Sequence, residues 1–200
     1  MSRRLLLASQ SVSRRRLLAD AAVPFETVAA GIDEEAVKTA LVADGLGARD
    51  LADALAAWKA IRPSQRAPDA LVLGCDQTLE LDDGSRIDKV ETREEAAALL
   101  ARMSGRPHRL HCAAVIAEGG MPVWRQIESV TLHMRTLSRD FIDQYLDLDW
   151  ENCRWCVGCY RIEGPGAQLF ARVTGSMFAV QGLPLLPLLD YLRARSIVPS

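Results

Sequence analysis

The segment Leu71-Val72-Leu73-Gly74-Cys75-Asp76-Gln77-Thr78 joins a short apolar run to a carboxylate. Residues 71–73 have the composition and length of a buried strand, and Gly74 permits close approach of backbone or ligand. This pattern predicts that Asp76 ends the strand at the carboxyl edge of an open α/β sheet, where ligands usually bind. Because a buried carboxylate is costly without a partner, Asp76 either caps the next turn or serves in catalysis or metal binding.

Length and composition bound the class of protein. A chain of 200 residues can bury a core, and we expect a single domain over residues 1–200. A net charge of −2 gives no basic field for nucleic acid. No apolar run is long enough to span a bilayer, and the N-terminal apolar run is too short for a signal peptide. We therefore expect a cytoplasmic protein with neither nucleic acid nor membrane as a partner.

Three of the five cysteines lie close together, at Cys153, Cys156 and Cys159. Their spacing is compatible with an iron–sulfur or zinc site, but there is no obvious nearby fourth ligand. We favour free thiols that pack as small buried residues of a strand. A metal-cluster protein built on these cysteines is the competing interpretation.

Hydroxyl and guanidinium groups surround the start of the first predicted helix, over residues 13–22. Ser9 and Ser11 follow the first apolar strand, and Arg14 and Arg15 stand in the first turn of the helix. Arginines there oppose the helix macrodipole, which leaves a solvated basic face as the simpler interpretation. A helix start that carries hydroxyl and guanidinium groups nevertheless suits an anion such as phosphate, and we prefer that interpretation.

Further helices are predicted by apolar periodicity and capping residues. Over residues 49–62 the pattern places Trp58 in the apolar stripe and Lys59 at its margin, from which an ammonium could reach a cleft. Glu34 belongs to an acidic cluster that opens another helix. Lys89 lies in a turn just before a helix with a capping box, where its side chain could reach a phosphate.

The second half of the chain contains a predicted β-hairpin, formed by residues 108–117 and 123–136. Two more strands are predicted at residues 157–163 and 168–173, on either side of a Gly-Pro-Gly turn, with Glu163 beside the turn. Strands that alternate with helices, together with one antiparallel hairpin, predict an α/β fold with a mixed sheet flanked by helices.

Taken together, the segments resemble the Maf family of nucleoside triphosphate pyrophosphatases over nearly the whole chain. Seven boxes occur in the family's order and spacing: Leu7-Ala8-Ser9-Gln10-Ser11-Val12-Ser13-Arg14-Arg15, Ile32-Asp33-Glu34, Lys59-Ala60, Gly74-Cys75-Asp76-Gln77, Asp88-Lys89-Val90, Gly158-Cys159-Tyr160-Arg161-Ile162-Glu163-Gly164 and Gly182-Leu183-Pro184-Leu185. The combination of Gln77 with Glu163 is similar to that found in the family branch that cleaves 7-methyl-GTP. Val12 replaces a Pro, Ser13 replaces the Trp of that branch, and residues 88–90 replace Gly-Lys-Pro.

The resemblance implies the Maf/ITPase-like fold, an elongated mixed central sheet with a nucleotide cleft. It also implies a house-cleaning enzyme, compatible with a homodimer, that hydrolyses a nucleoside triphosphate, 7-methyl-GTP-like in its base, to monophosphate and diphosphate. A divalent cation is expected, Mg²⁺ with Mn²⁺ or Co²⁺ as substitutes. The implied roles are catalysis by Asp76, Glu34, Lys59 and Lys89, substrate binding by Ser9, Ser11, Ser13, Arg14, Arg15, Gln77 and Glu163, and metal ligation by Asp76 and Glu34.

The altered boxes keep an alternative open, a catalytically impaired nucleotide-binding or regulatory protein of the same fold. Base preference is a separate expectation. Glu163 offers only hydrogen-bond acceptors, so it suits the two donors of a guanine edge. Ser13 cannot stack on a base as Trp can, and we expect weaker discrimination for 7-methyl-GTP than the branch implies.

Overall fold

A computed structural model describes residues 4–199. Its seven strands are β1 (Leu5–Leu7), β2 (Glu26–Thr27), β3 (Leu71–Leu81), β4 (Arg86–Ile87), β5 (Pro107–Glu118), β6 (Met121–Met134) and β7 (Phe170–Thr174). They form one sheet in the order β2-β1-β3-β5-β6-β7, with β4 paired to β3. β1 runs parallel to β2 and β3, and the other pairs are antiparallel. The predicted mixed α/β sheet is confirmed.

Helices flank the sheet, and most begin at a side-chain cap. They are α1 (Val12–Asp20), α2 (Glu34–Ala43), α3 (Ala48–Ser64), α4 (Arg93–Met103), α5 (Arg139–Cys153), α6 (Met177–Val180) and α7 (Leu185–Ala194), with a 3₁₀ helix at Pro165–Leu169. The capping box of Thr92 and Glu95 is present at the start of α4. Over residues 4–199, every helix is too short or too polar to cross a membrane.

Two apolar clusters lie along the long strands β3, β5 and β6. One packs β1, α1 and α7 against the first half of β3, and Leu7, Leu18 and Leu188 are fully buried in it. The other packs α4 and α5 against the second half, around Leu100 and Leu146. The middle of β3, which contains Asp76, therefore lies where the two clusters meet.

The position of Asp76 differs from the prediction. β3 does not end there but continues to Leu81, and Asp76 pairs with Ala113 of β5 in mid-strand. The strand that ends is β1, whose Leu7 lies opposite Leu73. Because β1 stops there and β4 pairs with β3 only from Leu79 onward, the edge of β3 between Leu73 and Leu79 is open to side chains from other elements. The expected edge of the sheet therefore exists, but the end of β1 creates it.

The buried face of α3 is shifted from the predicted stripe, in which Leu51 and Leu55 are buried as expected but Trp58 is not. Ala52, Ala56 and Ala60 are buried, whereas Trp58 is 45% exposed. Small side chains are favoured on the inner face because the helix backbone lies directly on β3. A Cβ atom at Gly74 would lie 2.2 Å from the carbonyl oxygen of Ala56. Gly74 is therefore required for this helix–sheet packing.

Residues 157–163 form turns, not the predicted strand. Gly158 and Cys159 both have positive φ angles, 83° and 55°, which an extended strand cannot accommodate. Cys153 ends α5, and Cys156 and Cys159 lie in the following turns, so none of them belongs to a strand. Cys153 and Cys159 are free and buried in the core, as expected. The later predicted strand is also shifted, because residues 165–169 form the 3₁₀ helix and β7 begins at Phe170.

Candidate active site

A buried ammonium joins two carboxylates from different elements. Lys59 of α3 is only 7% exposed, and its Nζ atom donates to Oδ1 of Asp76 in β3 at 2.6 Å. The same Nζ atom lies 2.9 Å from Oε2 of Glu34. Glu34 is the first residue of α2, fixed there because Asp33 caps the helix. Three of the four predicted catalytic residues therefore meet at one point.

The two carboxylates differ in their affinity for a proton. Burial raises the pKa of Asp76 above its ordinary value, although Lys59 and Arg14 oppose this effect. Burial also acts to raise the pKa of Glu34, but the positive charges of Lys59, Lys89 and Arg14 outweigh it and lower that pKa. Different environments thus separate the pKa values of two neighbouring acids, as acid–base chemistry requires.

Arg14 connects the start of α1 to two other segments. Its Nε atom donates to the carbonyl of Gly182 at 2.7 Å, and Nη1 donates to the carbonyl of Cys75 at 3.1 Å and to Oγ of Ser9 at 3.2 Å. Among residues 4–199, no acceptor binds its Nη2 atom. Nε and Nη1 therefore hold the protein together, and Nη2 is available to an anion.

The hydroxyl groups of Ser9 and Ser11 have structural partners. Ser11 caps α1 by accepting from the backbone N–H of Arg14, and Ser9 accepts from the N–H of Ser11. An accepting hydroxyl keeps its own proton for donation, so both serines can still donate to a phosphate. Arg15 and Lys89 are exposed, and within residues 4–199 neither side chain forms a hydrogen bond or ion pair.

Gln77 is engaged by the backbone of α6. Its Nε2 atom donates to the carbonyls of Ala179 and Val180, at 2.8 and 3.1 Å. Both amide protons are therefore used within the protein, and only the side-chain oxygen remains for a substrate. The predicted contact of Gln77 with the base is restricted to an acceptor role.

The predicted base-binding residues touch each other. Ser13 Oγ donates to Oε1 of Glu163 at 3.0 Å, between α1 and the turns that follow α5. Those turns are held by Arg161, which donates to Asp149 through two nitrogen atoms. Asp149 is 1% exposed, and Asn152 donates to it as well.

Sequence reasoning missed Asp149 and Arg161, although a signal was available. Asp149 follows Tyr145 and Leu146 by four and three residues, on the apolar face of α5. A charge on such a face must be paired. The hydroxyl oxygen of Tyr160, in the same run of turns, lies 2.8 Å from Nε2 of the buried His108, a second pair that the sequence patterns do not reveal.

The carboxylate oxygens of Asp76 and Glu34 fit a divalent cation whose remaining ligands come from the phosphates of the substrate. Each carboxylate directs one oxygen at Lys59, and its second oxygen accepts no hydrogen bond from residues 4–199. One or two carboxylates together with phosphate oxygens is the usual protein site for Mg²⁺. No group of three or more His, Cys, Asp or Glu side chains in the described part of the chain could hold a metal by itself.

Cys153, Cys156 and Cys159 likewise form no group that could hold a metal among the residues that the structure describes. Burial raises the pKa of Cys153 and Cys156 to about 11 and that of Cys159 to about 12. A thiol must lose its proton to bind a metal, and these environments oppose that loss. The described side chains therefore give the metal-cluster interpretation no support.

Comparisons with known proteins agree with the resemblance. The family model described as Maf-like protein matches residues 4–195. A nucleoside triphosphate pyrophosphatase of Sphingopyxis alaskensis is 50% identical over 98% of this chain and 99% of its own. A protein of the same name from Caulobacter vibrioides is 46% identical over 94% and 93%. A HAM1 protein from Coxiella burnetii superposes on 66% of this chain and 73% of its own with a TM-score of 0.38 and 17% identity, too distant to carry an argument. The chain therefore belongs to the Maf-like protein family.

Proposed function

We propose that this protein is a nucleoside triphosphate pyrophosphatase, which cleaves the α,β-anhydride link of a nucleoside triphosphate to give monophosphate and diphosphate. The observation that carries the proposal is the Lys59 ammonium within 3 Å of both Asp76 and Glu34. The relatives from Sphingopyxis alaskensis and Caulobacter vibrioides, which bear that name and match almost the full chain, support it.

The described residues provide what this hydrolysis requires. Asp76 activates the attacking water, and Lys59 orients its carboxylate. Arg14, Arg15 and Lys89 offset the negative charge of the triphosphate and of its transition state. Asp76 and Glu34 would hold a divalent cation, Mg²⁺ or in its place Mn²⁺ or Co²⁺, which supplies further charge neutralisation when bound.

The first test removes the general base, Asp76, and keeps the shape of its side chain. In Asp76→Asn, kcat for release of diphosphate should fall by about 10²–10⁴-fold, the usual effect of losing one general base. The matched control is Asp190→Asn, an exposed Asp in α7 that pairs with Arg193, and it should retain full activity. Diphosphate is measured with wild type over a panel of common and modified nucleoside triphosphates.

Two results would contradict the proposal separately. Near-normal turnover by folded Asp76→Asn would refute the role of Asp76. Binding of nucleotides by wild type without any diphosphate release would instead identify the catalytically impaired, regulatory alternative, which the altered segment Asp88-Lys89-Val90 favours.

For the base, we propose a guanine-type nucleotide with weak selection for its 7-methyl form. Glu163 can only accept hydrogen bonds, as the N1 and N2 donors of guanine require. Ser13 already donates to one oxygen of this carboxylate, which holds it towards α1. Since Ser13 offers no ring to stack on the base, the extra affinity for a cationic 7-methylguanine should be small.

The base proposal predicts a change of substrate ranking in Glu163→Gln. Wild type should prefer GTP and 7-methyl-GTP to UTP and dTTP in kcat/KM. The variant should shift this ratio by about tenfold or more towards UTP and dTTP, because Gln adds a donor and a donor facing a donor is unfavourable. Glu151→Gln, on the exposed face of α5, is the control. An unchanged ranking in Glu163→Gln, or a wild type that prefers UTP or dTTP, would refute the assignment.

A further inference from the structure

The helix α2 is held to the protein without a buried residue. All ten of its residues are exposed or half-buried, so apolar burial alone fixes it weakly. Two lysine–carboxylate pairs act on it instead. Glu34 pairs with Lys59, and Lys38 pairs with Asp88 at 2.5 Å. Glu34 and Lys38 are four residues apart and therefore lie on one face of the helix.

The partner of Lys38 belongs to the short segment between β4 and α4. Ile87 and Val90 in this segment pack against the core, while Asp88 reaches α2. The backbone around Lys89 is therefore held on both sides, by packing and by the ion pair. Lys89 itself is exposed and directly follows Asp88. Because Lys38 lies one helical turn from Glu34, the pair of Lys38 with Asp88 holds this segment beside the Glu34 end of α2.

An ion pair of this exposure contributes little to folding stability. The side chains of Lys38 and Asp88 are 20% and 59% exposed, and such pairs stabilise proteins only weakly. The Lys38–Asp88 ion pair is better explained by an effect on the orientation of the neighbouring Lys89 side chain. Val90 does not restrict the conformation of Lys89 as a Pro at that position would, so the direction of the Lys89 side chain depends on what holds Asp88.

We propose that the Lys38–Asp88 ion pair positions Lys89 so that its ammonium faces the triphosphate. Lys38 and Asp88 are positioning residues, since they act through Lys89 without touching substrate. The inference rests on the proposed function for the identity of the ligand. It assigns a role to α2 beyond that of carrying Glu34.

The test is a double-mutant cycle of Lys38 and Lys89, in which both tripolyphosphate binding and nucleoside triphosphate turnover are measured. Inorganic tripolyphosphate is titrated calorimetrically in magnesium-containing buffer into wild type, Lys38→Met, Asp88→Asn, Lys89→Met and the double variant of Lys38 and Lys89. Lys38→Met and Asp88→Asn should each weaken binding about two- to fivefold, the range that an exposed ion pair supports. KM for the nucleoside triphosphate should rise by the same factor, with kcat within twofold of wild type.

The decisive comparison is made in the Lys89→Met background. If Lys38 acts through Lys89, Lys38→Met should have no further effect there. An equal loss in both backgrounds would mean that Lys38 binds phosphate itself, and it would overturn the inference. So would unchanged binding in Lys38→Met, or failure of wild type to bind tripolyphosphate.

A matched control and the readout of turnover separate the remaining explanations. Arg102→Met breaks the exposed pair with Asp83 at the other end of α4 and should change neither binding nor KM. If wild type binds tripolyphosphate but hydrolyses no nucleoside triphosphate, the proposed function fails, while the binding cycle still decides the role of Lys38.

Discussion

Lys59 shows how much a single side chain determines in this site. A buried ammonium is costly unless it is paired, and here two carboxylates share it. The sequence pattern predicts Trp58 on the buried face of α3, which leaves Lys59 at the margin of that face. In fact Lys59 lies on the inner face of α3, one turn from Ala56. The small residues on this face leave space for the Lys59 side chain to reach Asp76 of β3. Its place beside Asp76 and Glu34 was predictable from the resemblance, but its burial was not.

A second buried polar residue, His108, makes stability depend on pH. Burial, with a smaller effect of His133, lowers the pKa of His108 to about 4, and its Nδ1 atom has no hydrogen-bond partner within residues 4–199. In the unfolded chain a histidine binds its proton near its ordinary pKa of about 6.5. The unfolded state therefore binds more protons between these pH values, and stability falls as pH decreases.

The expected loss is roughly 3 kcal/mol of unfolding free energy between pH 6.5 and pH 4. It is measured by urea denaturation at several pH values. His108→Gln cannot bind a proton and should lose less over the same interval. Tyr160→Phe removes the hydroxyl partner but keeps the histidine, so it should preserve the wild-type dependence at lower overall stability. Parallel curves for wild type and His108→Gln would contradict this assignment.

Among the elements, the contact of α3 with β3 sets the distance between Lys59 and Asp76. The two elements approach so closely that a side chain at Gly74 would collide with backbone atoms of Ala56 and Ala60, at 2.2 and 2.5 Å. A backbone atom cannot move aside as a flexible side chain can. The separation of helix and strand, and with it the geometry of the ion pair, therefore depends on one missing Cβ atom.

Gly74→Ala should consequently impair both stability and turnover. Forcing an extra carbon into a packed interface costs about 1–3 kcal/mol, and an outward shift of α3 would separate Lys59 from Asp76. We expect kcat to fall even at temperatures where the variant is fully folded, as judged by circular dichroism. Gly47→Ala, at the start of the same helix, is the control, because a Cβ there meets nothing within 4 Å. Full activity of folded Gly74→Ala would refute the coupling.

The elements predicted correctly are those that local signals define. The helix predicted after Lys89 is present as α4 because its capping box is a local motif. The predicted hairpin is present as β5 and β6 because alternation and a glycine turn define it. The predicted strand at residues 157–163 was wrong because two left-handed residues interrupt an apolar run. Composition does not reveal those φ angles, least of all at Cys159, where the residue is not glycine.

For the molecule as a whole, the candidate site is assembled from segments that are distant in sequence. Ser13 contacts Glu163, Arg14 contacts Gly182, and Gln77 contacts Val180. The resemblance identified most of these residues as members of one site, but not as partners of each other. Pairing across such separations depends on the whole sheet and its flanking helices, which no short window of sequence describes.

The hydrogen bond from Arg14 to Gly182 has a consequence for biosynthesis. The two residues are 168 positions apart, and a ribosome adds about 5–20 residues per second. The arginine is therefore added to the chain about 8–34 s before its acceptor. Throughout that interval the nascent chain can form β1 and α1 but cannot close the site, so the site is completed only after Gly182 has been added to the chain.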